Sequence, residues 1–68
     1  MLSTIQKIRL DADRFMHKYG LENSETLRIS RLAEDSERWL KEDETNEVME
    51  ELWNQIYSNA EHLAMTAE

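Results

Sequence analysis

The sequence predicts an all-α protein: an antiparallel three-helix, up-down-up bundle or a bent helical hairpin, completed by self-association. Three observations lead there. The 68-residue chain has no proline and one glycine, so almost nothing interrupts a helix. Apolar residues recur at spacings of three and four along three stretches. The segments between those stretches are short, which favours antiparallel neighbours. Residues 1–68 read as a single small helical domain, with no internal repeat or low-complexity tract.

The first helix is predicted over about residues 4–19. Met1, Ile5, Ile8, Ala12, Phe15 and Tyr19 alternate spacings of four and three, which aligns them as one seam. Ser3 and Gln6 have the S-x-x-Q form of a capping box. At the far end Gly20 suits a left-handed C′ position, with Leu21 folding back on Met16. His17 and Lys18 bring positive charge to the last turn, where the helix dipole favours it. Leu10 falls opposite the seam.

A second helix is predicted over about residues 24–41, capped by Asn23 or Ser24. Its apolar face comprises Ile29, Leu32, Ala33, Ser36, Trp39 and Leu40, with Leu27 outside it. Continuing that register would carry Asp43, Asn46 and Glu50 into the seam, so a turn or kink is expected at 41–45. The third helix is predicted over about residues 45–66. Val48, Met49, Leu52, Trp53, Ile56, Tyr57, Ala60, Leu63 and Ala64 fill about 180° of its circumference at 100° per residue. An ordinary surface helix needs a stripe of about 100°, so this one is expected to meet two neighbours.

A chain of this size is near the lower limit for folding alone. It contains no cysteine, which excludes disulfides and thiolate metal sites. Association is the remaining source of added stability, so a homodimer is expected. Its apolar anchors are expected among Ile5, Ile8, Phe15, Trp53, Ile56 and Tyr57, since Trp and Tyr are frequent anchors of protein contacts.

Charge divides the chain in two. Residues 42–68 hold eight carboxylates and no Lys or Arg, whereas residues 1–41 hold seven acids and eight bases. Asp43, Glu44, Glu47, Glu50 and Glu51 therefore form an acidic face expected to dock a protein partner with a basic surface. A purely structural role competes with that. Glu42, Asp43, Glu44 and Glu47 surround a helix N-terminus, where the dipole stabilises negative charge, and a charged face also aids solubility.

Other chemistry finds little support. Asp13 and His17 share a helix face, but two ligands fall short of a zinc site, and no Glu-x-x-His occurs. His62 has only Ser58 and Asn59 one turn earlier. There is no Cys, no glycine-flanked Ser and no glycine-rich phosphate loop. An enzyme and a bound cofactor are not expected. Arg28, Arg31 and Arg38 lie within a sector of about 80° on the second helix, yet Asp35 lies among them. With a net charge of −7, direct nucleic-acid binding is not expected, and ion pairing explains these arginines better. No apolar run reaches membrane-span length and the N-terminus lacks the apolar region of a secretory signal, so a cytoplasmic location is the expectation.

The function expected from these features is non-enzymatic: a small acidic regulator or adaptor that binds a basic partner protein. One alternative is an inhibitor of the kind encoded by phages or mobile elements, occupying the basic nucleic-acid channel of a DNA- or RNA-binding protein. Another is a structural subunit of a larger assembly.

Overall fold

The computed structural model describes residues 2–66, which are all-α: α1 spans Thr4–Tyr19, α2 Ser24–Trp39 and α3 Glu47–Thr66. Met1 of the first seam and Glu68 of the acidic tail lie outside the described residues.

The capping box of α1 forms as its spacing predicts. The Ser3 hydroxyl accepts the Gln6 N–H at 3.3 Å, and the Gln6 side chain accepts the Ser3 N–H at 3.1 Å. At the other end the Gly20 N–H donates to the Met16 carbonyl at 2.8 Å. Gly20 has φ 85° and ψ 161°, a region open to glycine but away from the left-handed helical one. The expected Schellman closure is therefore not made, and Leu21 stays exposed. The Gly20 carbonyl accepts the buried Thr26 hydroxyl at 2.6 Å instead, tying the linker to α2.

Asn23 caps α2 by accepting the Glu25 N–H at 2.9 Å. The helix stops at Trp39, short of residue 41, because Leu40 is extended at φ −102° and ψ 144°. Residues 40–46 are not helical, so α2 and α3 are separate helices rather than one bent one. A turn forms here through Glu44, whose carboxylate accepts the Lys41 N–H at 3.0 Å while its own N–H donates to the Lys41 carbonyl at 3.1 Å. Asn46 then caps α3, accepting the Met49 N–H at 3.1 Å, so α3 begins at Glu47 rather than at residue 45.

One core joins the three helices: Ile5, Ile8 and Phe15 of α1, Ile29 and Ala33 of α2, Leu40, and Trp53, Ala60 and Ala64 of α3. Phe15 meets Tyr57 edge-on at 5.4 Å between ring centroids. Contacts between α1 and α2 run in opposite order, with Arg9 near the start of one against Glu37 near the end of the other. Between α1 and α3 they run in the same order: Thr4 with Glu50, Lys7 with Asn54 and Lys18 with Glu61.

Two expectations about apolar residues are corrected by this packing. Trp39 is 82% exposed instead of lying on the buried face of α2. At 100° per residue it stands about 80° from Ile29, and the end of the helix lets the next residue, Leu40, drop into the core in its place. Ile5, Ile8, Phe15 and Trp53 are buried in the chain's own core, so they offer no outer surface as anchors for another chain. Ile56 and Tyr57 are half-buried at its margin.

Candidate functional site

Much of the acidic C-terminal region is occupied by α1. Thr4 is fully buried, and its hydroxyl donates to Glu50 at 2.7 Å and accepts the Asn46 N–H at 2.7 Å. Its backbone N–H donates to the Glu44 carbonyl at 3.0 Å. One small residue thus fastens the α2–α3 connection and the first turn of α3 to the start of α1. Two of the expected partner-binding acids are engaged within the chain: the Glu50 carboxylate by the Thr4 hydroxyl, and the Glu44 carboxylate by the Lys41 N–H.

Two more acids have basic partners. Glu42 accepts from Arg9 at 2.6 Å, and Arg9 also reaches Glu37. That guanidinium holds the Glu42 carboxyl below its usual range, while the two acids raise the arginine. Glu61 accepts from Lys18 at 2.9 Å and from the Tyr19 hydroxyl at 2.9 Å. Lys18 is the larger cause of the lowered Glu61 carboxyl, and Glu61 in turn raises Lys18. Burial, reinforced by the charges of Glu61 and Asp11, raises the Tyr57 phenol. Trp53 completes this seam by donating its indole N–H to Asp11 at 3.0 Å.

Asp43, Glu47 and Glu51 have a different setting. All three are exposed, and among the described residues none has an ion pair. The acidic face expected from the sequence is thereby reduced to these three, with Asp43 in the turn and the other two on the outer side of α3.

The larger feature is one that the periodicity only hinted at. Among the described residues no side chain within α2 bonds to α3; the single polar link is from Asn23, the α2 cap, to the Ala64 carbonyl at 3.4 Å. The seam between the two helices is an open apolar groove of about 140 Å³, with Leu32, Met49, Leu52 and Ile56 in its lining. Val48 is 76% exposed, Leu52 49% and Leu63 38%, and Trp39 stands on the same flank of α2. Val48, Leu52 and Leu63 belong to the over-wide apolar arc of α3, half of which faces the core and half of which faces outward. A second groove of about 340 Å³ runs along α2 past Leu27, Arg28, Arg31, Leu32 and Asp35. The two grooves share Leu32 and Asp35.

The remaining candidates are dispersed. His17 has its Nδ1 2.9 Å from the Asp13 carbonyl oxygen and 3.6 Å from its carboxylate, on exposed surface. No group of three His, Cys, Asp or Glu residues suited to a metal ion occurs among the described residues. No helix among them is long and apolar enough to cross a membrane. Arg28 lies 3.7 Å from Glu25, whose Oε1 is buried without a hydrogen-bond partner. Arg31 and Arg38 are exposed and without ion pairs among the described residues.

Proposed function

We propose that the chain, which matches no family model and shows no significant similarity to a curated protein or solved structure, is a non-enzymatic protein-binding regulator or adaptor: an up-down-up three-helix bundle that association completes through its α2–α3 face. The observation that carries this reading is the exposure of Trp39, Val48 and Leu52 around an apolar groove that the chain itself leaves open. Contiguous apolar surface with an exposed tryptophan is characteristic of protein contacts rather than of a solvated face. The test immobilises the chain and compares it with a variant carrying Trp39→Ala and Leu52→Ser in capture from the native host. The variant is expected to keep its helical circular dichroism and to lose retention of its partner, whether another protein or the chain itself. Equal retention by both proteins defeats the reading.

Asp43, Glu47 and Glu51 favour a second reading, since they have no counter-ion among the described residues. They would dock the basic surface of a partner and, in the sharpest form, enter the nucleic-acid channel of a DNA- or RNA-binding protein, as a phage-type inhibitor does. Reversal of Glu47 and Glu51 to lysine is expected to weaken capture at low salt. Undiminished capture excludes the acidic docking mode.

A further inference from the structure

The proposed binding face carries charge as well as apolar surface, and the charge has a symmetry. Along the α3-facing flank of α2 stand Ser24, Arg28, Arg31, Leu32, Asp35 and Trp39, within a sector of about 100° at 100° per residue. Arg28 and Asp35 are about 10 Å apart along the helix, on either side of Leu32. Both are exposed. Asp35 has no ion pair among the described residues, and Arg28 has only the long approach to Glu25 at 3.7 Å.

A basic partner laid along this flank meets Arg28 and an acidic one meets Asp35, so neither sign of charge is favoured throughout. A flank of the same composition running the other way satisfies both. Resting on the protein-binding reading above, we infer that a second copy of this chain covers the α2–α3 face, with α2 antiparallel to α2 and Arg28 of each copy against Asp35 of the other.

With the two-fold axis between Arg31 and Leu32, the pairing sets Arg28 beside Asp35, Arg31 beside Leu32 and Ser24 beside Trp39. Arg28 and Asp35 thus find charge counterparts within the stripe, while Arg31 stands next to the axis without one. The bond from Asn23 to Ala64 places the start of α2 level with the end of α3. The same axis therefore brings Val48 of one copy towards Leu63 of the other, and Leu52 towards Asn59. Val48, Leu52 and Leu63, which the monomer leaves exposed on α3, and the exposed Trp39 fall inside this footprint, whereas the exposed Met65 lies on the other side of α3. Such a contact is isologous and closes at two copies, so it builds a dimer without an open end for further growth.

Sedimentation equilibrium from 1 to 200 μM tests the inference. The wild-type chain is expected to be a dimer in the upper part of that range, and R28D and D35R are each expected to weaken it by about tenfold or more, because each reversal creates two like-charge contacts per dimer. Mixing R28D with D35R is expected to restore a heterodimer, since every reversed charge then faces its opposite, and the R28D/D35R double variant is expected to dimerise again. Both positions are exposed, and circular dichroism verifies that each variant is folded. A wild-type chain that stays monomeric throughout overturns the second copy as occupant, while the capture experiment with Trp39→Ala and Leu52→Ser separately decides whether the face binds another protein. A dimer indifferent to both charge reversals, or one not recovered on mixing, overturns the antiparallel pairing.

Discussion

The two tryptophans have opposite surroundings although both belong to amphipathic helices. Trp53 is 3% exposed, stands between α1 and α3, and has its indole N–H bonded to Asp11. Trp39 is 82% exposed on the flank of α2 that faces α3. The difference extends to the seams that hold them. Along the α1–α3 seam, Thr4, Lys7, Lys18 and Tyr19 meet Glu50, Asn54 and Glu61, so its polar edges are bonded as well as its apolar centre. Along the α2–α3 seam only the cap Asn23 makes a polar cross-link among the described residues, and the apolar edge lies open. A helix with apolar residues over half its circumference cannot cover them all with two neighbours on one side. Its surplus ends up on the seam that is bonded across only at the Asn23 cap among the described residues.

Substitution of Trp53 by alanine tests this contrast most severely. Loss of a fully buried tryptophan costs about 3–5 kcal/mol, comparable to the whole stability of a small domain. The variant is expected to lose most of its helical signal at 25 °C in dilute solution. A cooperative melt close to that of the wild type would mean that the α1–α3 seam is not the stabilising one.

Thr4→Val is the next in size. It removes the hydroxyl that serves both Glu50 and the Asn46 N–H in a buried site, at a cost of about 1–3 kcal/mol, whereas Thr4→Ser retains the hydroxyl and is expected to lose less. Denaturant unfolding of both variants reads the difference, and a Thr4→Val variant as stable as the wild type would remove the hydroxyl from the account.

Acid sharpens the same contrast more gently. Glu42 and Glu61 are lowered from an ordinary value of 4.5, chiefly by Arg9 and Lys18 respectively. A carboxyl lowered in the folded state contributes stability above its unfolded pKa and loses it as pH falls through the folded one. The melting temperature is therefore expected to decline below about pH 4.5, and Glu61→Gln to decline less steeply than the wild type. Parallel declines would remove Glu61 from the account. Both pairs reach solvent, so added salt is expected to reduce the effect.

Trp39→Ala marks the small end of the series. In the dilute monomer it is expected to shift unfolding by no more than about 0.5 kcal/mol, as exposed positions do. A large loss of monomer stability would show that Trp39 belongs to the core after all.

Much of the fold was legible because helices are built from near neighbours. The capping box of Ser3 and Gln6, the cap at Asn23 and the seam of Ile5, Ile8 and Phe15 all rest on separations of a few residues, and each is found in the structure. The break expected at 41–45 is present too, from the apolar phase running out rather than from any glycine or proline. The site was legible only in outline. The over-wide arc of α3 signalled surplus apolar surface, but periodicity assigned Trp39 inward, because it cannot foresee that the helix ends there and that Leu40 takes the core position. Nor did Thr4 or Asp11 carry any local mark of importance.

The sequence by itself determined three helices, the N-terminal caps of the first two, the absence of disulfides and a division of charge between the first forty-one residues and the rest. Only the tertiary structure decided which acids remained free, which tryptophan was covered and which seam stayed open. The reason is one of distance along the chain. Helical hydrogen bonds and caps join residues up to about four apart, so a short window of sequence contains their causes. The fates of Glu50, Glu61 and Trp53 depend on Thr4, Lys18 and Asp11, more than forty positions away, and no local pattern records where those partners come to lie.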